Sequence, residues 1–527
     1  MDKLQEEKIE KLGAFEIDEL LIQAAEKNKN FLNAGKGNPN WINTKARLAF
    51  CQLVEFGVIE SQRTYNQTDI AGDITTAGIY ERFSAFLIAR DDETAEFLLA
   101  CLAYFKTEFS VPLDDLVAEL IDGAIGNNYP TPNRVLKHSE KILATYLEEV
   151  LFNGTELASE TEIFPTEGGT AAMVYIFQSL KENKLILPDD KIAISSPIFT
   201  PYLQIPELHD YQMVEIDLQS SEENNWEVPV EEFEKLLDPK IKAFFLVNPS
   251  NPGSKALGEK ELDKIKQIVE KRPDLMIITD EVYGSFVENF QSVYTAVPHN
   301  TLLVYSYSKL FGATGWRLGM IALNQENIFD QAIQNLSEND HQELTERYSL
   351  VTLYPDKMKF IDRIVADSRS IGLYHTAGLS TPQQMMMVLF SLTHLICLEK
   401  PDRYINESKN IIQGRYELLH DQLNYPMDNS ELNSKYYSLI DIYRLADQLY
   451  GQEFSTYLKN HFEEIDFLVN LAEITGVVLM DGVGFGTKAG EIRISNANLP
   501  TKDYGIIAEK ILELLKEYHL QFLALTK

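Results

Sequence analysis

The sequence predicts an α/β protein of more than one domain, organised on a mostly parallel sheet covered by helices and carrying a helical insertion near its start. Three observations carry that expectation. The chain has 527 residues, beyond the roughly 250 to 300 at which a single hydrophobic core stops growing. Past Thr166, short apolar runs alternate with helical stretches, and the rhythm of strand, helix, strand, helix favours parallel strands buried on both faces. Residues 44–126 read as almost wholly helical, with periodic apolar positions and few strand formers.

Composition narrows the class of partner. Lys+Arg 47 against Asp+Glu 80 leaves a formal net charge of −33, which argues against nucleic acid and against anionic membrane surfaces. Three cysteines, Cys51, Cys101 and Cys397, lie far apart without a C-x-x-C spacing, so neither a disulfide framework nor a metal site is expected. The first residues, Met1 to Glu7, are charged and form no signal-peptide core, and no apolar run reaches the roughly 18 residues of a membrane span. A cytoplasmic protein is expected.

Taken in order, residues 8–28 show apolar positions at helical spacing, among them Ile9, Leu12, Leu20 and Leu21. Residues 31–41 are rich in turn formers and hold Lys36 between Gly35 and Gly37, either as an ordinary loop or as backbone that a ligand approaches closely. Helices are expected over 47–60, 79–90, 93–109 and 113–125. A proline-limited loop, 127–134, then carries Tyr129 and precedes a helix over 138–151. Gly168, Gly169 and Thr170 open a further helix, where free backbone N–H groups and the positive dipole end make a phosphate cradle. A strand over 191–195 leads to Phe199 and Tyr202, each of which is either a core aromatic or a ring near a ligand. The strand 243–247 ends in Asn248-Pro249-Ser250-Asn251-Pro252-Gly253, a rigid turn that fixes the direction of the Asn251 amide. The strand 276–280 ends in Asp280-Glu281, which is either a helix N-cap or a buried acid in need of a cationic partner. Tyr283 follows three residues on.

The apolar run 301–305 delivers Ser306-Tyr307-Ser308-Lys309 and then Gly315-Trp316-Arg317-Leu318-Gly319. Lys309 reads either as a surface lysine in a strand-to-helix loop or as a lysine partly desolvated at a buried strand end, where burial would disfavour its charged form and free its amine. With Ser306 and Arg317 beside it, that amine suits a Schiff base to a phosphorylated aldehyde, the hydroxyl and guanidinium gripping the phosphate. Beyond a strand over 320–323, residues 376–382 form a capped helix start. Residues 398–475, including 430–449, read as helical, and strands are expected over 477–480 and 491–495. Arg493 alternates with apolar neighbours and reads either as an edge charge or as a carboxylate clamp.

Ser-x-Ser-Lys followed by Gly-x-Arg-x-Gly resembles the cofactor-lysine signature of the aspartate aminotransferase superfamily, the fold type I pyridoxal phosphate enzymes. That resemblance implies a large cofactor domain over 127–385 and a smaller α+β domain over 386–527, preceded by an arm and loop over 1–43 and the insertion over 44–126. It implies pyridoxal 5'-phosphate on Lys309, with its phosphate held by Gly168, Gly169, Thr170, Ser306, Arg317 and a neighbouring subunit's Tyr129. Phe199 would stack on the pyridine ring, Asp280 would face its nitrogen, and Asn251 and Tyr283 would face its phenolic oxygen. Arg493 would take the substrate α-carboxylate, with Lys36, Gly37, Asn251 and Tyr202 close to the substrate.

The length, the insertion, the segment 33–41 and the segment 375–384 also resemble the aspartate 4-decarboxylases within that superfamily. The resemblance implies that L-aspartate loses its β-carboxylate through a ketimine to give L-alanine and carbon dioxide, with slow transamination beside it. It also implies a homo-oligomer, at least a dimer and beyond that an assembly of dimers. Lys36 stands where an arginine is expected, so a bidentate grip becomes a point charge. The alternatives are a plain aminotransferase, or a relative that keeps the fold without catalysis.

Overall fold

The computed structural model describes residues 14–26, 28, 31–397, 402–462 and 464–525. Positions 8–13 and 27 of the expected first helix, and 398–401 and 463 of the expected helical stretch 398–475, lie outside them. The chain packs as two compact units.

The first unit comprises residues 1–40, 187–297 and 404–527. Four parallel strands form its larger sheet in the order Gln212–Asp217, Lys191–Ser196, Ile241–Val247, Met276–Asp280. Ile241–Val247 and Met276–Asp280 read as apolar runs because both of their faces are buried. Phe244, Leu246 and Ile277 pack there with Leu262, Ile265 and Ile268 of the helix Glu259–Lys271. The smaller sheet is antiparallel, with Glu491–Ser495 between Tyr437–Asp441 and Met480–Asp481. Leu32–Asn33 pairs in parallel with Val477–Val478. Helices Ala14–Ala25, Glu464–Thr475 and Thr501–Leu525 are among those that pack here, where Leu21, Leu471, Ile492, Ile494 and Ile511 share one core.

One expectation fails here. Residues 430–449 are not a continuous helix: Tyr437–Asp441 is a strand, and the helix Ile442–Tyr450 starts only after it. The cause is local. The Asp441 side chain accepts hydrogen bonds from the N–H groups of Tyr443 and Arg444, an N-cap that divides extended chain from helix.

The second unit comprises residues 41–186 and 298–403. Its strand Gly319–Asn324 lies between Thr161–Thr166 and Thr301–Ser306 and runs antiparallel to both, a direction that the apolar pattern does not reveal. The helical stretch holds as expected, with helices Thr44–Thr64, Ile79–Arg90, Glu93–Glu108 and Leu113–Ile125. Asn43 and Asp92 cap two of them through the N–H groups of Ala46 and Ala95. A short hairpin, Asn66–Gln67 with Ile70–Ala71, interrupts the stretch. Ser380 caps the helix Thr381–Leu395 in a capping box with Gln383, at the expected start. Among the described residues no helix is long and apolar enough to cross a membrane, and no group of residues is suited to hold a metal ion.

Candidate active site

Two clusters of site residues stand out, one in each unit. In the first unit, Asp280 ends its strand buried, at 6% exposure. Its carboxylate accepts the Val282 N–H at 3.2 Å and the Tyr202 hydroxyl at 2.9 Å, so it caps no helix. Tyr202 is thus the side chain that these bonds bring to the acid. Phe199, half-buried, meets the Tyr202 ring edge-on at 5.2 Å and packs against Met480 and Phe485. Its loop is held by the bonds Ile198 N–H to Phe485 O and Thr200 hydroxyl to Gly484 O. Asn251 follows the strand Ile241–Val247 in the rigid turn, where both proline bonds are cis. Its amide oxygen accepts from Arg493 Nη1 at 3.1 Å.

Arg493, in the middle of its strand, is 3% exposed. The rings of Tyr437 and Phe485 lie on the guanidinium, each centroid 4.5 Å away, and Nη2 donates to the Gly35 carbonyl. No carboxylate of the described residues lies within ion-pair distance, and Nε has no partner. Burial pushes its pKa below the ordinary arginine value, yet a guanidinium stays protonated in proteins. A buried cation so arranged is suited to an anion. Lys36 is exposed, while the neighbouring Gly37 carbonyl accepts the Tyr436 hydroxyl at 2.9 Å. Asp18 is buried beside this segment. Burial raises its carboxyl, with the Lys36 and Arg493 charges opposing. Tyr283 is buried, and its hydroxyl lies 2.8 Å from that of Tyr437.

In the second unit, Lys309 follows the strand Thr301–Ser306 and is half-buried. The carbonyls after it are held in place: the Trp41 indole N–H donates to Leu310 O at 3.0 Å, and Arg47 donates to Phe311 O and Gly312 O. Ser306 Oγ lies 3.0 Å from both Leu318 O and Ser308 Oγ. Gly168 precedes the helix Gly169–Glu182 with φ at 92°, and a Cβ there would fall 2.4 Å from Arg317 Nη2. The Arg317 guanidinium therefore lies against the bare start of that helix. It donates to Thr314 O and Glu167 O and meets no carboxylate of the described residues. Free N–H groups, a dipole end and a guanidinium are the groups that could hold a phosphate dianion. Thr170 and Tyr129 are exposed, Tyr129 at 70%. The segment 375–384 serves these elements. Gln383 donates to Trp316 O, Gln384 accepts from Leu136 N–H, and His375 lies 2.8 Å from the Asn133 amide.

Sequence reasoning missed Tyr437, Asp18 and Arg47. Each acts through contacts distant in sequence, for which no local pattern exists.

Residues 104–511 match the family model for aminotransferase class I and II. The chain is 42% identical over 524 residues to a bifunctional aspartate aminotransferase and L-aspartate beta-decarboxylase from a Pseudomonas species, a match covering 98% of each chain. An aromatic-amino-acid aminotransferase 2 of Thermococcus litoralis is 32% identical over 176 residues, 32% of this chain and 43% of its own. A structure of a Thermus thermophilus aspartate aminotransferase double mutant superposes with a TM-score of 0.59 at 15% identity, over 96% of this chain and 95% of that one. The chain therefore belongs to the class I and II aminotransferases, pyridoxal phosphate enzymes as a family, and has their expected fold.

Proposed function

We propose that this chain is a pyridoxal phosphate enzyme that removes the β-carboxylate of L-aspartate, releasing carbon dioxide and L-alanine, with transamination as a slow companion activity. The observation that supports it best is the end-to-end likeness to a protein bearing both activities. The residues fit the cofactor: a pair of glycines and an arginine that meets no carboxylate of the described residues suit its phosphate, and a buried acid suits its ring nitrogen.

When bound, the cofactor supplies a protonated pyridine ring that accepts electrons from bonds broken in the substrate. Lys309 would hold its aldehyde, and its amine would serve as the base that moves the substrate α-proton. Asp280, oriented by Tyr202, keeps the ring nitrogen protonated. Phe199 covers the ring, while Asn251 and Tyr283 serve its phenolic oxygen. Gly168, Gly169, Thr170, Ser306 and Arg317 hold the phosphate, joined by Tyr129 from a second copy in an assembly of at least two chains.

Arg493 grips the α-carboxylate of L-aspartate, a role supported by its buried guanidinium, which has no carboxylate of the described residues within ion-pair distance. Lys36 and Gly37 serve the side-chain carboxylate. An exposed point charge holds that group more loosely than a guanidinium fork, which favours its loss as neutral carbon dioxide.

Borohydride reduction of the yellow protein followed by peptide mapping tests the cofactor assignment, with the label expected on Lys309. L-Aspartate as sole substrate tests the reaction, with alanine expected and no oxo acid required. Label on another lysine, or turnover only with an added oxo acid, would count against the respective assignment.

A further inference from the structure

Tyr437 has no role in the function proposed above, yet two of its side-chain contacts meet residues that do, and its backbone is tied to the turn that carries a third. Its backbone is clasped by Ser254, three positions after Asn251: the Tyr437 N–H donates to Ser254 Oγ at 2.8 Å, and Ser254 Oγ donates back to the Tyr437 carbonyl at 3.1 Å. Its ring face lies on the Arg493 guanidinium at 4.5 Å. Its hydroxyl is 2.8 Å from that of Tyr283. The side chain is 3% exposed, so none of these contacts competes with bulk water.

A hydroxyl carries one proton. Should Tyr283 give its proton to Tyr437, it has none for any other acceptor. Should Tyr437 donate instead, the Tyr283 oxygen is satisfied and its proton is left for a third group. Hydrogen bonds in such a chain polarise one another, so Tyr283 then becomes the stronger donor. Tyr436 and Arg493 also face the pair: the Tyr436 ring is 4.8 Å from that of Tyr283, and the charge of Arg493 favours an electron-rich Tyr283 oxygen. Burial holds the Tyr283 hydroxyl well above the ordinary tyrosine range, so Tyr283 stays protonated and able to donate.

We propose that Tyr437 is a positioning residue: it donates its hydroxyl proton to Tyr283, leaving the Tyr283 proton for the phenolic oxygen of pyridoxal phosphate, and its ring seats Arg493 for the substrate carboxylate. One residue of the smaller sheet thereby serves both the electronic state of the cofactor and the grip on the substrate. The proposal rests on the cofactor assignment above.

The test is the visible absorbance of the holoenzyme titrated with pH, for the native protein and for Tyr437→Phe, Tyr283→Phe and the double variant. A weaker bond to the phenolic oxygen leaves more charge on it and makes the neighbouring imine nitrogen more basic. Tyr437→Phe is therefore expected to raise the absorbance midpoint by about half to one pH unit, and Tyr283→Phe by at least as much. The double variant is expected to move no further than Tyr283→Phe alone. Because phenylalanine keeps the ring on Arg493, the KM for L-aspartate is expected to stay within about twofold, as for a contact left intact. An unmoved midpoint in Tyr437→Phe, or additive shifts in the double variant, overturns the proposal while leaving the cofactor assignment standing. A native protein that shows no cofactor absorbance overturns both.

Discussion

Arg493 is a cation removed from water, and its guanidinium is balanced by amide and carbonyl oxygens and two aromatic faces, with no carboxylate within ion-pair distance among the described residues. Such a group is costly to bury and becomes useful when an anion arrives. Arg493→Lys keeps the charge but loses the planar fork, so it cannot reach Asn251, Gly35 and a substrate carboxylate together. Steady-state kinetics are expected to show a KM for L-aspartate raised about tenfold to a hundredfold, the size of one or two lost charge-assisted hydrogen bonds. Lys36 is the complementary case, an exposed ammonium beside a buried acid, Asp18. Lys36→Arg is expected to tighten the hold on the side-chain carboxylate and lower the ratio of decarboxylation to transamination, measured as alanine against oxaloacetate. An unchanged ratio would remove Lys36 from the mechanism.

At the scale of elements, the start of the helix Gly169–Glu182 is the most constrained feature. Gly168 sits at a φ of 92° with the Arg317 guanidinium where a Cβ would be. Gly168→Ala brings both backbone strain and displacement of Arg317. Fluorescence titration is expected to show pyridoxal phosphate affinity reduced about tenfold or more, equivalent to a loss above about 1.4 kcal/mol. The helix start behind the two glycines was legible in the sequence, because a glycine pair before a helix is a local signal. So were the strand ends bearing Asp280 and Lys309, since buried strands are continuous apolar runs. The strand Tyr437–Asp441 was not. Its five residues precede the amphipathic helix Ile442–Tyr450, and the helical period extends back over them unless Asp441 is recognised as a cap. The contact of Tyr437 with Tyr283, 154 positions apart, has no local trace at all. Nor does the antiparallel run of Gly319–Asn324, since burial on both faces looks the same in either direction.

At the scale of the whole molecule, two buried groups oppose each other in the pH dependence of stability. Burial raises Glu281 from 4.5 to about 7. Between those values the folded chain holds a proton that the unfolded chain has lost, so stability falls as pH rises. Burial lowers His420 from 6.5 to about 4. Its neutral form is held by Pro426 O on one nitrogen and Ser438 Oγ on the other. Between pH 4 and 6.5 the unfolded chain holds the extra proton, and stability rises with pH. The two slopes, each about 1.4 kcal/mol per pH unit at most, nearly cancel where the windows overlap. Chemical denaturation of Glu281→Gln is expected to uncover a rise in stability between about pH 5 and 6.5 that the native protein lacks; equal slopes in the two proteins would deny Glu281 that role. The central claim is the fate of the β-carboxylate, and carbon dioxide and alanine measured together from L-aspartate and pyridoxal phosphate, with no oxo acid added, test it most directly. Sustained release of both in equal amounts is expected; turnover that begins only when 2-oxoglutarate is supplied, with oxaloacetate accumulating, would contradict it.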